Sequence, residues 1–192
     1  MLPHNRRVDF LDTLEKLCAG LERNRVRYAL IGGFALAMHG VQRATVDLDF
    51  ILALEDLARV DRILQEMGYE RFFHTENVSH YRTSTPGAGR IAMLHAFRAP
   101  ALAMLQRAKR LTIGRHLTLP VVAVEDLVGL KIQAACNDPR RAAGDWQDIF
   151  WLLEAAARRA AVLDWELIAE YLALFGQTTR LGELKKCYDP ID

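Results

Sequence analysis

Hydrophobic and polar positions alternate in short runs along the first part of the chain, between segments with helical spacing. The alternation predicts strands at residues 25–31, 45–52, 69–73, 80–83 and 90–97, with one or two more within 111–124. Three- and four-residue spacing of hydrophobic positions predicts helices at residues 8–21, 34–39, 57–67 and 101–108. These elements predict an α+β unit.

Beyond residue 125 the pattern contains only helical spacing, and four helices are expected, at residues 125–136, 144–159, 164–175 and 180–187. The change near Pro120 is a soft boundary between an α+β core, residues 1–119, and a helical C-terminal region, residues 120–192. We expect the helical region to pack on the core and to close one side of its site. A single domain overall is the alternative.

The stretch from Tyr28 to Leu52 has the pattern of a strand, a Gly-Gly turn, a short helix, a loop and a strand. Alternation along the second strand places Asp47 and Asp49 on one face, about 7 Å apart at Cβ. Two such carboxylates repel each other unless a cation lies between them, and carboxylate oxygens suit Mg²⁺ or Mn²⁺. The pattern predicts a metal site. The alternative is a solvent-facing acidic pair on an edge strand, although aspartate is uncommon in strands.

The rest of this stretch supports a site for a phosphate together with its metal. Thr45 and Ile51 share the face of the aspartates, and the opposite, core-facing side carries Val46, Leu48, Phe50 and Leu52. The turn at Gly32 and Gly33 lets the backbone approach a ligand closely and opens a helix whose free N–H groups favour phosphate.

Composition and charge are those of an ordinary globular protein. The 192 residues are 51% hydrophobic and 26% charged, with a formal net charge of +1. Tight nonspecific DNA binding is therefore not expected, whereas a local basic patch can still hold RNA. The sequence contains one basic cluster, which is typical either of a solvated face or of a binding site for a polyanionic acceptor. Its residues are Arg107, Lys109, Arg110 and Arg115.

The cysteines and the apolar runs indicate the cellular compartment in which the protein is expected. Cys18, Cys136 and Cys187 lie far apart without a CxxC motif and are expected to be reduced thiols of a cytoplasmic protein. We expect neither a signal peptide nor a membrane span, because no apolar run approaches about 18 residues.

One motif of this stretch is distinctive: a Gly-Gly pair followed by Arg-x-Thr-x-Asp-x-Asp, at Gly32, Gly33, Arg43, Thr45, Asp47 and Asp49. It resembles the nucleotidyltransferase fold of the DNA polymerase β type, and most closely the minimal and AbiEii-like bacterial nucleotidyltransferases. The resemblance implies a small mixed sheet flanked by helices. It also implies that the two aspartates hold Mg²⁺ or Mn²⁺ against the phosphates of an NTP, which the glycines contact. Arg43 and Thr45 would lie at the nucleotide, with Arg43 on phosphate or, alternatively, on a carboxylate.

A second stretch, residues 120–149, is similar to the family's helix with an inward lysine, followed by a loop and an acid-containing helix. By this resemblance Lys131 points at the phosphates and is a catalytic residue. The alternative is a lysine whose stem lies along the edge of the core. Asp145 and Asp148 share a helix face, and we expect them to form structural ion pairs with Lys131 or Arg141.

One position departs from the family's pattern. Similar proteins carry a third carboxylate in a run like Gly-Arg-Val-Asp-Leu-Leu-His, and Ala92 stands there in the run that begins at Gly89, unless the alignment slips by one residue. Mg²⁺ often needs only one or two protein carboxylates, so nucleotide binding should survive better than activation of the attacking hydroxyl. The candidates to replace the acid are Glu70, His80 and His95.

The resemblance implies a nucleotidyltransferase that moves a nucleoside monophosphate from an NTP to a hydroxyl of RNA, protein or a small molecule. Similar proteins act as toxins or antitoxins of bacterial modules. Two alternatives stay open at this point. One is a catalytically degenerate nucleotide-binding or interaction module, which Ala92 favours, and the other is a phosphotransferase that releases ADP. The sequence does not identify the acceptor, the NTP or the oligomeric state.

Overall fold

The computed structural model describes residues 10–188 except positions 44, 46 and 115. The predictions for Val46, Arg115 and the first two residues of the N-terminal helix lie outside this part of the chain. Within it, the α+β class with C-terminal helices is confirmed.

The chain forms two compact units. The first unit comprises Met1–Phe34 and Ala44–Val121, and the second unit comprises Ala35–Arg43 and Val122–Asp192. The division into domains at residues 119 and 120 stays a prediction.

A seven-stranded mixed sheet forms the centre of the first unit. Its strands are β1 (Tyr28–Ile31), β2 (Leu48–Ala53), β3 (Glu70–His74), β4 (Val78–Arg82), β5 (Ile91–Ala96), β6 (Lys109–Ile113) and β7 (Leu117–Val121). They lie in the order β3-β4-β5-β2-β1-β7-β6. Strand β2 is antiparallel to β1 and parallel to β5, so it lies in the interior of the sheet.

The central strands supply the core of the first unit. Their completely buried side chains include Leu30, Phe50, Leu52, Ile91 and Met93. Burial of each such side chain contributes roughly 1.5–3 kcal/mol relative to exposure. The rigid centre of the sheet therefore lies directly beside the predicted site.

The predicted start of β2 is wrong. The strand begins at Leu48, not at Thr45, so Asp47 precedes it. Ile51 lies on the same face of the strand as Asp49 and is completely buried. The physical reason is that β2 is an interior strand with an almost continuous apolar sequence, and such strands are covered on both faces. Asp49 is the one charged residue within it.

Three helices of the first unit follow the predicted spacing: α1 (Phe10–Arg23), α3 (Leu57–Glu66) and α4 (Ala99–Arg107). Helix α2 (Gly32–Met38) starts directly after β1, and its residues from Ala35 onward belong to the second unit. The buried face of α3 consists of Val60, Ile63 and Leu64, at spacings of three and four residues.

The second unit contains the C-terminal helices α5 (Val124–Asn137), α6 (Ala142–Arg158), α7 (Trp165–Leu174) and α8 (Leu181–Tyr188). Asp164 caps α7, because its carboxylate accepts from the backbone N–H of Leu167 at 3.0 Å. The Tyr171 hydroxyl donates to the buried carboxylate of Asp126 at 2.7 Å, which joins α7 to α5. None of the helices in the described ranges is long and apolar enough to cross a membrane.

Candidate active site

The turn after β1 lies against the carboxylate of Asp49. Ile31, the last residue of β1, pairs with Asp49 across the sheet, and Gly32 follows with φ +67°. A Cβ atom at Gly32 would lie 2.1 Å from Oδ2 of Asp49. Both the positive φ and the lack of space therefore require glycine here.

The neighbouring residues bring Thr45 and Asp47 to the same turn. A Cβ atom at Gly33 would lie 2.9 Å from the Cβ atom of Thr45. The Thr45 hydroxyl donates to the backbone oxygen of Asp47 at 3.4 Å, and the backbone N–H of Arg90 donates to Oδ1 of Asp47 at 3.4 Å. The first unit thus brings together the five residues of the motif that it contains: Gly32, Gly33, Thr45, Asp47 and Asp49.

The two aspartates differ in their surroundings. Asp47 is exposed and precedes the strand, whereas Asp49 is half-buried within it. The alternative of an acidic pair on an edge strand is wrong, because β2 has a hydrogen-bonded neighbour on each side. A carboxylate placed within an interior strand is costly to desolvate, which favours a functional reason for Asp49.

Ala92 is the residue beside Asp49 on the neighbouring strand. The parallel pairing of β2 with β5 sets Asp49 opposite Ala92, so both lie on one face of the sheet. Ala92 is therefore the residue of the run beginning at Gly89 that pairs with Asp49, whereas the neighbouring Ile91 and Met93 lie on the other face. A methyl group stands where the resemblance leads us to expect a third carboxylate.

His95 does not replace the missing acid. It pairs with Leu52, on the opposite face from Asp49, and is only 4% exposed. Its Nδ1 donates to the backbone oxygen of Glu76 at 2.8 Å, and its Nε2 lies 3.0 Å from the hydroxyl of Ser79. Burial lowers the pKa of His95 below its usual value, so the ring is a neutral part of the core.

Glu70 and His80 do not stand beside Asp49 either. Glu70 lies at the start of β3, where its carboxylate pairs with Arg82 at 2.6 Å. His80 pairs with Ala92 and is therefore on the same face as Asp49, but two strands away, at about 10 Å by strand spacing. In the described part of the chain no group of three or more His, Cys, Asp or Glu side chains is arranged to hold a metal ion.

The other two predicted site residues, Arg43 and Lys131, belong to the second unit. The Lys131 ammonium lies 2.8 Å from Oδ1 of Asp145 and 2.7 Å from Oδ2 of Asp148. The Arg43 guanidinium also pairs with Asp148, and Arg141 lies 3.7 Å from Asp145. The ion pairs expected for the two aspartates are present. Arg43 shows the carboxylate pairing of its two alternatives, and contact of Arg43 or Lys131 with phosphate stays a prediction.

The predicted basic cluster is partly paired. Lys109 and Arg110 lie on the edge strand β6, and Arg110 contacts Glu22 at 2.8 Å and the backbone oxygen of Thr118 at 3.0 Å. The hydrogen bond to Glu22 raises the pKa of Arg110 above its usual value. Charged residues on an edge strand also protect it from pairing with another chain, so this cluster has a structural explanation.

Two clefts of the first unit lie away from the aspartates. One, of about 300 Å³, is lined by residues that include Tyr28, Arg27 and Arg110. The other, of about 330 Å³, is lined by residues that include Asp61 and Tyr81. Some of their polar groups are hydrogen-bonded to each other: Tyr81 donates to Asp61 at 2.7 Å in one cleft, and Arg110 donates to Glu22 at 2.8 Å in the other. The chemistry of Asp47 and Asp49 therefore identifies the candidate site better than concavity does.

Sequence reasoning missed two features of these units. The pairing of Arg43 with Asp148 joins residues 105 positions apart, and no spacing rule connects them. The row that runs from Asp49 through Ala92 and His80 to Phe73 depends on strand order, which the sequence did not supply. The Asp-x-x-Asp spacing of α6 indicated two acids on one helix face, but it did not identify Arg43 as their partner.

The strand order, the glycine turn and the two aspartates at the start of the interior strand define a nucleotidyltransferase-type fold. The chain belongs to the AbiEii nucleotidyl transferase toxin family of type IV toxin–antitoxin systems, whose model matches residues 16–188. No curated protein matches the chain in sequence.

Solved structures show the same fold at low sequence identity. The antibiotic-resistance factor ANT(2'')-Ia is similar with a TM-score of 0.65 at 15% identity, over 94% of this chain and 97% of that one. MenT4, a nucleotidyltransferase toxin from Mycobacterium tuberculosis, has a TM-score of 0.54 at 17% identity, over 88% of this chain and 63% of that one. The lincosamide antibiotic adenylyltransferase LnuA, with lincomycin bound, has a TM-score of 0.52 at 15% identity, over 78% of this chain and 96% of that one.

Proposed function

We propose that this protein is a nucleotidyltransferase that uses Mg²⁺ or Mn²⁺ to move a nucleoside monophosphate from an NTP to a hydroxyl group. The observation that carries the proposal is the contact between the Gly32 turn and the carboxylate of Asp49, with Asp47 directly before the same strand. The family assignment supports the class of reaction and the toxin–antitoxin context. The acceptor, whether RNA, protein or a small molecule, and a toxin role for this chain are part of the proposal.

The side chains at this turn fit a metal that arrives with a nucleotide. Two carboxylates, Asp47 and Asp49, are within the number that Mg²⁺ takes from proteins when phosphate oxygens and water supply its other ligands. The backbone at Gly32 and Gly33 carries no side chain that would keep a triphosphate away. The same donor set suits Mn²⁺.

The chemistry divides between the metal and the chain. The bound metal would offset the negative charge on the phosphates during transfer. Asp47 and Asp49 would hold the metal in place, and the glycine turn orients the triphosphate. An acceptor hydroxyl oxygen then bonds to the α-phosphorus, the bond from this phosphorus to the bridging oxygen breaks, and pyrophosphate leaves. The proton of the hydroxyl is lost to water.

The test is transfer of radiolabel. The purified protein is incubated with each NTP labelled at the α-phosphate, with Mg²⁺ or Mn²⁺, and with total cell RNA and lysate protein. We expect label on one acceptor class and its loss in the Asp47→Ala variant. Absence of transfer with every NTP and both metals would contradict the proposal.

A second candidate function is a nucleotide-binding module without catalysis, which the Ala92 methyl group beside Asp49 favours. The Ala92→Asp variant separates the two. A carboxylate at position 92 would stand next to Asp49 and could accept the hydroxyl's proton, so we expect the transfer rate to rise by about 10²-fold. Initial rates of label transfer at saturating NTP measure the effect.

The matched control is Ala92→Asn, which has the size of aspartate without its charge and should not raise the rate. A wild-type protein that binds NTP without transfer, together with a gain of transfer in Ala92→Asp, would establish the non-catalytic module. No gain in Ala92→Asp would show that the position no longer limits the chemistry.

A further inference from the structure

An aromatic surface lies two and three strands away from the strand that carries Asp49. It consists of Phe72 and Phe73 of the edge strand β3, and His80 and Arg82 of β4, which we call the aromatic platform. Phe72 is 40% exposed and Phe73 48% exposed. Both rings meet His80 edge to face, with centroids 6.0 Å and 5.3 Å away, and the Arg82 guanidinium lies 5.2 Å from the centre of the Phe72 ring.

The platform is on the same face of the sheet as the catalytic aspartate. Cross-strand pairing sets Asp49 opposite Ala92, Ala92 opposite His80, and His80 opposite Phe73. Paired residues of neighbouring strands point to one face. His80 and Phe73 are therefore about 10 and 14 Å from Asp49 by strand spacing. Ala92 is the one residue of the row between Asp49 and His80, and its methyl group leaves the path between them open.

Two guanidinium groups lie along the same path. Arg82 is on β4, and Arg90 directly precedes β5, next to Asp47. Both are exposed. Cations placed between aromatic rings and a phosphate-transfer site suit a ligand with planar rings and a negatively charged backbone.

We infer that the aromatic platform is a stacking site for the terminal unpaired bases of a single-stranded nucleic acid acceptor. The bases would stack on Phe72 and Phe73, and the backbone phosphates would pass Arg82 and Arg90 towards Asp49. The inference rests on the proposed function, since it names the acceptor of that reaction. Stacking accepts any base, so the platform sets the class of acceptor and not its sequence.

Other occupants fit the platform less well. The pairing of β3 with β4 shifts between Arg71 and Phe73, and β3 carries charged side chains at Glu70 and Arg71. A bulge and charges are features that prevent an edge strand from accepting a strand of another chain. A cationic small acceptor would be repelled by Arg90, whereas the charge of Arg82 is offset by its ion pair with Glu70. A strand of nucleic acid satisfies both the rings and the guanidinium groups.

The test measures binding without chemistry. Fluorescence anisotropy of short fluorescein-labelled oligoadenylates, one RNA and one DNA, is followed with the full chain in the absence of NTP and metal. We expect Phe73→Ala and Phe72→Ala each to weaken binding by roughly 5- to 100-fold. Phe73→Trp should keep binding and show quenched indole fluorescence. Arg82→Gln should reduce the salt dependence of binding by about one phosphate contact. The two probes show whether RNA and DNA are distinguished.

Two controls separate this inference from the proposed function. Trp151→Ala removes an exposed aromatic ring (42% exposed) of α6 and should leave binding unchanged. Asp12→Asn changes an exposed aspartate of α1 that pairs with Lys16, and it should also leave binding unchanged. Oligoadenylate binding that is absent, or insensitive to Phe72 and Phe73, would overturn the inference even if label transfer is found. So would a change of oligomeric state in Phe73→Ala by sedimentation, which would indicate a protein partner. Binding that depends on the rings, without any label transfer, would overturn only the proposed function.

Discussion

Asparagine at position 49 should lower nucleotidyl transfer by about three orders of magnitude while leaving the fold intact. Asp49 is the one charged residue within the interior strand β2, and its Oδ2 atom lies against the backbone of the Gly32 turn. Asparagine keeps the shape of the side chain but removes the charge that would hold the metal. Metal charge stabilisation is worth several kcal/mol, and each 1.36 kcal/mol is tenfold in rate.

Two measurements show whether the loss occurs at the metal. Single-turnover transfer from α-labelled NTP gives the rate, and calorimetric titration of NTP with and without Mg²⁺ gives the binding. We expect the metal-dependent part of NTP binding to disappear in Asp49→Asn, and the midpoint of urea unfolding to move little. Asp12→Asn is the matched control, because Asp12 is an exposed aspartate of α1 that pairs with Lys16.

Two other outcomes would contradict the role of Asp49 as a metal ligand. If Asp49→Asn binds NTP and metal as the wild type does, Asp49 is not a metal ligand and the site assignment is wrong. If instead the variant is strongly destabilised, the carboxylate serves the packing of the β1–β2 turn. The Asp47→Asn variant would then be the cleaner probe, because Asp47 is exposed and precedes the strand.

The sequence predicted the elements of this fold better than their arrangement. Alternation and helical spacing located the strands and helices because they report which side chains face the core. They did not show that β2 is an interior strand, since an almost continuous apolar run occurs in strands and in buried helices alike. The burial of Ile51 is a consequence of that position.

The candidate site was predictable to the extent that its residues are close in sequence. Gly32, Thr45 and Asp49 lie within one short motif, and the first unit brings them together. The aromatic platform was not predictable, because the contact of Phe73 with His80 depends on a bulged pairing of β3 with β4. Spacing rules describe one strand at a time, whereas the register between strands is set by the whole sheet.

Replacement of Lys131 by methionine should destabilise the protein by about 3 kcal/mol, because it leaves buried carboxylates without their cation. The Lys131 ammonium lies within 2.8 Å of both Asp145 and Asp148, which are 3% and 1% exposed. Asp148 retains Arg43 as a partner. Asp145 retains only the distant Arg141, at 3.7 Å, and its Oδ2 already has no hydrogen-bond partner among the described residues. Most of the cost should therefore arise at Asp145.

Urea denaturation measures the effect, and a second substitution identifies its origin. In the Lys131→Met/Asp145→Asn double variant the unpaired charge is gone, so we expect it to be more stable than Lys131→Met alone by about 1–3 kcal/mol. Lys186→Met is the matched control, since Lys186 is an exposed lysine of α8 and its loss should change stability little.

The same variant distinguishes the two roles predicted for Lys131. If Lys131 is a structural residue, Lys131→Met is less stable than the wild type and the double variant recovers stability. If Lys131 instead binds phosphate, Lys131→Met binds NTP more weakly while its free energy of unfolding stays at the wild-type value. Adding Asp145→Asn then restores neither property. Because Lys131 has two carboxylate partners and one remaining N–H, the ion pairs also fix the orientation of its ammonium. If Lys131 both neutralises the two buried carboxylates and contacts phosphate, Lys131→Met loses stability and NTP affinity. The double variant then recovers the stability but not the NTP affinity.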